Sequence, residues 1–211
     1  MKLLVVDGNS LINRAFYGIK LLTAKDGHYT NAIFGFFNML FSLTDSIQPD
    51  GVAVAFDLKA PTFRHQMYDA YKAGRKGMPP ELHEQVQPVK DLILALGYHI
   101  ISLEGYEADD ILGTLSAGCT ENDHCYIATG DRDSLQLVRD NVTVLLTATK
   151  GGQTVLTHYT PQSLYEEYGV SPLQMIELKA LQGDSSDNIP GVSGIGPQTA
   201  GDLIKMCGSV E

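Results

Sequence analysis

The sequence has no tryptophan, only three cysteines, and fewer basic than acidic residues: 15 Lys and Arg against 25 Asp and Glu in 211 residues. The odd number of cysteines and the lack of a C-x-x-C pair argue against a disulfide framework or a thiolate zinc site. No apolar run approaches the ~20 residues of a membrane span, and the N-terminal run is too short for a signal peptide. We therefore expect a protein of the reducing cytoplasm that does not contact a membrane.

The net charge of −10 by itself argues against a nucleic-acid-binding protein. A composition of 44% hydrophobic and 19% charged residues is typical of one globular domain with its own core, and it excludes a disordered polyelectrolyte. The positions of the acids along the chain reverse the conclusion drawn from their number.

Short apolar segments alternate with helical patterns along the chain, and this alternation predicts an α/β fold with a mostly parallel sheet and helices on both faces. Strands are predicted at residues 2–6, 51–56, 99–103, 124–128, 142–146 and 154–156, the last after a turn at Gly151-Gly152. The long helix predicted at 31–47 carries Phe34, Phe37 and Phe41 at helical spacing, which indicates a core-facing stripe.

The composition changes near residue 182, where Gly, Ser and Asp become dense. We therefore expect the α/β core to span residues 1–182 and a small helical element to span residues 183–211.

Nine carboxylates are predicted to share the edge of the sheet at which the parallel strands end. Three of them, Asp7, Asp57 and Asp131, follow predicted strands directly or within two residues, and in open α/β sheets this edge binds the ligand. Asp133 joins them through its D-x-D spacing to Asp131, and Glu107, Asp109 and Asp110 follow the third strand and open a helix. Asp184 and Asp187 add two more acids, and their i, i+3 spacing puts both on one face of a turn.

Helix capping alone explains one acid at a helix start, but not three within residues 107–110. Nine bare carboxylates would repel one another, and all-oxygen ligands select hard cations such as Mg²⁺ or Mn²⁺. Solvated loop ends are the alternative. If the acids do share one rim, removing one charge, as in Asp184→Asn, should stabilise the metal-free protein.

A basic segment interrupts this acidic sequence between residues 59 and 76. It contains five basic residues against one acid, Asp69: Lys59, Arg64, Lys72, Arg75 and Lys76. Phe63, Tyr68 and Tyr71 are interleaved with them. Basic residues contact phosphates and aromatic rings stack on bases, so the combination favours a nucleic-acid contact. A solvated amphipathic helix is the alternative.

A glycine-rich turn at residues 191–200 precedes the last predicted helix. Gly194 and Gly196 allow a partner to approach the backbone, and Pro197 suits a first helical turn whose free N–H groups face an anion. The turn lacks the third glycine of a dinucleotide-binding fingerprint and the Gly-Lys-Ser/Thr of a P-loop.

Taken together, these segments resemble the 5′-nuclease (flap endonuclease-like) family, in particular the 5′→3′ exonuclease domains of bacterial DNA polymerase I. The resemblance covers essentially the whole chain and rests on the segments 7–10, 56–64, 71–79, 105–110, 129–133 and 183–192. It implies a PIN-like or resolvase-like core, a helical arch at 59–79, and a helix–hairpin–helix element near the C-terminus.

The resemblance also implies two divalent-metal sites. The first would use Asp7, Asp57, Glu107, Asp109 and Asp110, and the second would use Asp131, Asp133, Asp184 and Asp187. The implied catalytic basic residues are Lys72 and Arg75 on the arch and Arg14 near the first metal aspartate. The implied DNA contacts are Arg64, Tyr71, Lys76, Gly191, Gly194, Gly196 and Thr199, with a monovalent cation such as K⁺ at the hairpin.

The function so implied is metal-dependent hydrolysis of DNA at 5′ ends and 5′ flaps during replication and repair, by a monomeric protein associated with the bacterial nucleoid. The family domain continues beyond this hairpin, so we expect a truncated gene product or an excised fragment. Two alternatives stay open: a PIN-type ribonuclease, and a DNA-binding fragment that cleaves weakly or not at all. A haloacid-dehalogenase-type phosphatase is disfavoured because Asn9 stands where it requires a second aspartate.

Overall fold

Six strands form one central sheet in the computed structural model, which describes residues 1–150 and 153–211. The strands of this sheet are β1 (Lys2–Asp7), β2 (Gly51–Ala55), β3 (His99–Ile101), β4 (His124–Thr129), β5 (Val142–Lys150) and β6 (Gln153–Tyr159). The predicted turn at Gly151-Gly152 lies outside the described residues. A second, two-stranded sheet pairs β7 (Gly183–Asp184) with β8 (Ile189–Pro190) in antiparallel fashion.

The central sheet has the strand order β3-β2-β1-β4-β5-β6, in which only β6 runs antiparallel. The prediction of a mostly parallel sheet is therefore confirmed. The chain order reverses between β1 and β4, and a crevice forms at such a point beyond the carboxyl ends of the strands. β1 ends at this point, with β2 on one side of it and β4 on the other.

Eight α-helices flank the sheet in the described part of the chain: α1 (Gly8–Gly18), α2 (Asn31–Ile47), α3 (Phe63–Met67), α4 (Pro80–Ala95), α5 (Ala108–Ala117), α6 (Pro161–Tyr168), α7 (Gln174–Gln182) and α8 (Pro197–Cys207). A short 3-10 helix, Arg132–Leu137, follows β4.

The sheet is buried on both faces, as its continuous apolar strands require. Leu4 and Val6 of β1 pack with α1, α2 and α4 in one core cluster. The intervening Val5 packs with α5, α7 and α8 in another cluster on the opposite face. Ala200 and Ile204 of α8 belong to this second cluster, so the C-terminal helix is packed against the α/β core.

The predicted core stripe on α2 is wrong for two of its three residues. Phe37 is buried, but Phe34 is 55% exposed and Phe41 is 44% exposed, while Phe36 and Leu40 are fully buried instead. Because apolar residues occupy most positions of this helix, their spacing alone does not identify the buried face.

The segment predicted as an arch, residues 59–79, is helical only at α3, and residues 68–79 form turns and irregular chain. Gly74 and Gly77 weaken helix formation there, and Pro79 precedes the first residue of α4. No helix in the part of the chain that the structure describes has the length and hydropathy needed to cross a membrane.

Candidate active site

The register of the sheet brings the predicted strand-end acids together. Asp7 is the last residue of β1 and pairs with Ala55 of β2, so Asp57 follows two residues further along the same edge. On the other side, Val6 pairs with Ala128 of β4, which brings Asp131 to that edge as well. The three acids therefore meet at the point where the strand order reverses.

Asp7 is 6% exposed and caps α1. Its Oδ1 accepts a hydrogen bond from the Ser10 amide at 2.9 Å, and its Oδ2 accepts one from Thr129 Oγ1 at 2.9 Å. Burial raises the pKa of Asp7 to about 6; these hydrogen bonds partly counter the rise, and the charges of Asp57 and Asp131 add to it. Sequence reasoning missed Thr129, although it directly precedes the Gly130-Asp131 pair.

Asp57 links the start of α1 to the start of α5. Its Oδ1 accepts a hydrogen bond from the Ala108 amide at 2.7 Å, and its Oδ2 accepts one from Asn9 Nδ2 at 2.7 Å. The free amide at a helix N-terminus thus orients this carboxylate. Asn9 is a second residue that the sequence did not assign to the site.

Seven of the nine predicted acids line one open cavity of about 350 Å³ at this edge of the sheet. They are Asp7, Asp57, Glu107, Asp109, Asp131, Asp133 and Asp187. Lys72 and Arg75 of the arch line the same cavity, as do Asn9, Ser10 and Asn13 of α1. The cavity therefore brings acids of both predicted metal sites together with the two basic residues of the arch.

Asp109 is the acid of this cavity whose ionisation the fold disfavours most. Burial raises its pKa to about 8, and the charges of Asp7, Asp131 and Asp57 add to this rise. A bound cation would relieve both effects.

Asp110 does not line the cavity, although it was predicted as a metal ligand. Its carboxylate accepts two hydrogen bonds from the Arg64 guanidinium, both at 2.8 Å, and one from the Glu107 amide at 2.9 Å. The bonds from Arg64, with the amide bond, hold the pKa of Asp110 below its usual value. The position of Asp110 is therefore explained by helix capping and by its ion pair with Arg64. Arg64, which was predicted to contact DNA, is the partner in that ion pair.

Asp184 is likewise outside the cavity and is joined to it by Lys179 of α7. The Lys179 ammonium lies 2.7 Å from Asp133 Oδ1 and 2.9 Å from Asp184 Oδ2. Desolvation raises the pKa of Asp184, but hydrogen bonds from Ser186 and Lys179 outweigh it and lower the value to about 2. This lowered pKa opposes the expectation that Asp184→Asn stabilises the metal-free protein, because the fold favours the charged carboxylate.

Lys179, which contacts two of the predicted acids, is a residue that sequence reasoning missed. It stands five residues before Asp184, in the last turn of a helix that leads into the acidic loop, which we define as residues 184–188. A lysine at this position could have indicated from the sequence a contact with the acids of the loop. Which acids its side chain reaches depends on how α7 packs against the core.

The base of the arch contacts Glu107, which is 7% exposed. Lys72 Nζ donates to Glu107 Oε1 at 2.7 Å, and the Tyr71 hydroxyl donates to Oε2 at 2.9 Å. Arg75 forms an ion pair with Asp187 on the opposite side. Lys72 and Arg75, the arch residues predicted to act in catalysis, therefore each form an ion pair with a carboxylate of the cavity.

Tyr71 is 5% exposed, so its ring is not available to stack on a base as predicted. Burial and the hydrogen bond to Glu107 raise the pKa of its hydroxyl. Tyr68 and Phe63 are 41% and 37% exposed and present aromatic surface in its place. Lys76 is exposed, as a phosphate contact requires.

Arg14 lies against Gly130 rather than in the acidic cavity. A Cβ at Gly130 would stand 2.8 Å from Ser10 Oγ and 3.1 Å from a guanidinium nitrogen of Arg14, so a larger residue there would displace the Ser10 hydroxyl. The Gly130 amide donates to Ser10 Oγ at 2.7 Å. This contact holds the end of β4 against α1 and places Asp131.

The predicted DNA-binding glycines divide into two kinds. Gly191 packs against its own chain, because a Cβ there would stand 2.2 Å from the Gln182 carbonyl oxygen. Gly194, with φ of +80°, and Gly196 have open space around the Cβ position. Gly194, Gly196 and the exposed Thr199 are therefore accessible to a partner, whereas Gly191 shapes the hairpin.

No group of three His, Cys, Asp or Glu side chains within residues 1–150 and 153–211 stands ready to enclose a metal ion. Lys72, Arg75 and Lys179 hold three of the carboxylates. The donor set nevertheless fits a hard divalent cation, because its donors are carboxylate oxygens. Burial, with the charges of neighbouring acids, raises the pKa of Asp7 and Asp109.

Two family models match the chain and together cover residues 2–211. Residues 2–169 match the family model described as "5′-3′ exonuclease, N-terminal resolvase-like domain". Residues 170–211 match the one described as "5′-3′ exonuclease, C-terminal SAM fold". The chain belongs to the 5′-3′ exonuclease family. The two family models meet at residue 170, whereas the composition change predicts a boundary at 182.

This 5′-3′ exonuclease chain is 44% identical to DNA polymerase I of Bacillus caldotenax over 211 residues, which cover 100% of the chain and 24% of that protein. It is 42% identical to DNA polymerase I of Mycobacterium tuberculosis over 212 aligned residues, which cover 99% of the chain and 23% of that protein. The chain thus spans about a quarter of the length of the curated relatives it matches.

Among solved structures, the chain is similar to the flap endonuclease of bacteriophage T5 in a pseudo-enzyme-product complex with DNA and metal ions. The TM-score is 0.79 at 25% sequence identity, and the match covers 100% of this chain and 76% of the other. The catalytic core of Rad2 in complex with DNA substrate shares the fold, with a TM-score of 0.61 at 20% identity over 99% of this chain and 62% of that one.

Proposed function

We propose that this chain hydrolyses phosphodiester bonds of DNA at 5′ ends and 5′ flaps with the aid of divalent cations. The observation that carries the proposal is the cavity at the carboxyl edge of the sheet, where seven carboxylates meet two cations of the arch. Carboxylates alone would repel a phosphate. Carboxylates that hold cations, next to a lysine and an arginine, form a site in which a phosphodiester can be bound and cleaved.

The carboxylates are proposed to hold two divalent cations, Mg²⁺ or Mn²⁺. Asp7, Asp57, Glu107 and Asp109 line one part of the cavity, and Asp131, Asp133 and Asp187 line the other. The bacteriophage T5 structures with bound metal ions support the assignment. When bound, such cations supply positive charge that favours an ionised attacking water and offsets charge on the phosphate oxygens.

Lys72 and Arg75 are proposed to bind the phosphate that is cleaved. Both form ion pairs with cavity carboxylates, and on binding DNA they would exchange these partners for the phosphate oxygens. Hydrolysis forms a bond between phosphorus and the oxygen of the attacking water and breaks the bond between phosphorus and the 3′ oxygen, which takes up a proton. The products are a 5′-phosphate and a 3′-hydroxyl.

The hairpin before α8 is proposed to grip the duplex away from the cleaved bond. Gly194 and Gly196 leave the backbone accessible, and the first turn of α8 presents unpaired N–H groups to a phosphate. A monovalent cation such as K⁺ at this hairpin is part of the same proposal. We further propose that the chain acts on DNA as a monomer. We also propose that it acts in the bacterial cytoplasm, and its bacterial DNA polymerase I relatives support this location.

The test is incubation with a duplex that carries a 5′-labelled flap, with Mg²⁺ and with a chelator. Cleavage near the flap junction in Mg²⁺ alone, leaving a 5′-phosphate, is the expected result. A blunt duplex without a 5′ phosphate and a single-stranded RNA serve as substrate controls. Tight binding without cleavage would favour the non-cleaving DNA-binding fragment, and preferential cleavage of the RNA would favour a PIN-type ribonuclease.

A further inference from the structure

Two residues with left-handed backbone conformation lie at the junction between the arch and the acidic loop. Lys72 has φ of +56° and Asn188 has φ of +60°. Gln48 is the third non-glycine residue with positive φ in the described part of the chain, and it ends α2, where this conformation is common. Neither Lys72 nor Asn188 ends a helix, so their conformations need another explanation.

The junction is held by hydrogen bonds in both directions. The Lys72 amide donates to the Asp187 carbonyl at 3.0 Å, and Asn188 Nδ2 donates to the Ala70 carbonyl at 2.9 Å. Arg75 adds an ion pair to Asp187 and a contact of 3.5 Å to the Ser186 carbonyl. Residues 70–75 are therefore fastened to residues 186–188 through main chain and side chains.

Left-handed backbone is costly for a lysine, because its Cβ approaches the following carbonyl oxygen. Such a conformation persists where the surrounding structure determines it. Two hydrogen bonds hold Lys72 from opposite sides. Its amide donates to the Asp187 carbonyl, and its ammonium donates to Glu107 Oε1 at 2.7 Å. The arch base thus spans the cavity from Glu107 to the acidic loop.

Asn188 combines the two properties that this position requires. Asparagine adopts left-handed backbone more readily than other residues with side chains. Its amide also donates a hydrogen bond, which aspartate, glycine and alanine side chains cannot do. The bond to Ala70 holds the chain two residues before Lys72, next to the residue whose conformation is strained.

We propose that Asn188 is a positioning residue, which fastens the base of the arch to the acidic loop and so places Lys72 at the cavity. The role in catalysis rests on the proposed nuclease function, but the fastening itself does not. Asn188 acts through Lys72 and does not contact the proposed substrate. Loss of the bond should free residues 70–75 while the sheet and the cavity carboxylates stay in place.

Hydrogen exchange of the DNA-free protein tests the fastening directly. Asn188→Gly keeps the backbone freedom and removes the donor, Asn188→Asp replaces the donor with an acceptor, and Ser185→Ala is the control in the same loop. We expect exchange in peptides covering residues 70–75 to rise about three- to tenfold in both Asn188 variants, as the loss of one hydrogen bond implies. Peptides from β1 and β4 and all peptides of Ser185→Ala should exchange as in the parent. Unchanged exchange at residues 70–75 in both variants would overturn the proposal.

Single-turnover cleavage of a bound 5′-flap duplex tests the positioning. We expect a three- to tenfold lower cleavage rate in the Asn188 variants, a dissociation constant for DNA within twofold of the parent, and parent values for Ser185→Ala. A parent-like cleavage rate together with faster exchange would contradict the positioning role. If the parent itself does not cleave, the nuclease function fails, and the hydrogen-exchange result alone decides whether Asn188 fastens the arch.

Discussion

The Lys179 ammonium lies 2.7 Å from Asp133 Oδ1, at the boundary between the α/β core and the acidic loop. It also lies 2.9 Å from Asp184 Oδ2, so one cation connects two acids from different elements. Desolvation alone would lower the pKa of Lys179, but the two carboxylates outweigh it and raise the value. Lys179 therefore neutralises charge that a divalent cation would otherwise have to neutralise.

We predict that Lys179→Met lowers the stability of the metal-free protein and increases the stabilisation that Mg²⁺ provides. Two carboxylates lose their counter-charge in the variant, and Mg²⁺ no longer competes with an ammonium. Melting curves of parent and variant, in chelator and in Mg²⁺, measure both effects. Lys25→Met, at an exposed position that does not line the acidic cavity, is the matched control and should change neither. A smaller Mg²⁺ effect in Lys179→Met than in the parent would show that the lysine does not oppose the cation.

We predict that two isosteric changes in the acidic group shift the stability of the metal-free protein in opposite directions. Asp109→Asn should raise stability by about 1 kcal/mol or more, since burial and neighbouring acids disfavour its charge. Asp184→Asn should lower it by about 1 kcal/mol, since Lys179 and Ser186 stabilise its charge at a partly exposed site. For a chain of this size each change corresponds to ~2–4 °C in melting temperature in chelator. Shifts of the same sign would contradict the charge distribution described here.

The raised pKa values of Asp7, about 6, and Asp109, about 8, predict how the stability of the metal-free protein depends on pH. Between about pH 4 and pH 8 these two carboxyls bind protons in the folded protein that they do not bind in the unfolded chain, so their contribution to stability increases as the pH falls through this range. Melting temperatures in chelator should therefore rise from pH 8 towards pH 5, and Asp109→Asn should flatten the upper part of the curve. A parent curve that falls on acidification over this range would refute the prediction.

We predict that Gly183→Ala and Gly196→Ala separate stability from DNA binding. A Cβ at Gly183 would stand 2.2 Å from the Gly191 amide nitrogen, and Gly183 has φ of +70°, so this variant should lose ~2 kcal/mol or more of stability. Gly196 has open space and should tolerate alanine in the free protein. Its added methyl group should instead weaken binding to duplex DNA, measured by fluorescence anisotropy. Equal effects of the two variants on melting temperature would be incompatible with this difference.

The sequence was sufficient to predict the edge of the sheet at which the acids lie. Asp7, Asp57 and Asp131 each follow an apolar segment, and parallel strands place their ends together whatever the details of packing. The same reasoning could not separate Asp109 from Asp110. They are neighbours on one helix, and only the position of Arg64 decides that Asp110 is an ion-pair partner while Asp109 faces the cavity.

Features that depend on contacts between distant segments were not predictable in this way. The burial of Tyr71 follows from the docking of the arch on Glu107, and the role of Gly191 follows from its approach to Gln182. The sequence shows an aromatic residue at position 71 and a glycine at position 191. Both residue types are compatible with DNA contact and with internal packing alike. The buried face of α2 was misassigned because apolar residues occupy most positions of this helix.

The most direct test of the metal-dependent nuclease assignment is single-turnover cleavage of a 5′-flap duplex by the parent and by Asp131→Asn, with DNA affinity measured in Ca²⁺. Asp131 lines the cavity and makes no ion pair in the described part of the chain, so its loss removes a proposed metal ligand without freeing a buried cation. The expected result is cleavage by the parent in Mg²⁺, at least ~100-fold slower cleavage by Asp131→Asn, and DNA dissociation constants within a few-fold of each other. Cleavage by Asp131→Asn within tenfold of the parent, or cleavage by the parent in chelator, would contradict the assignment of the acidic cavity as the catalytic metal site.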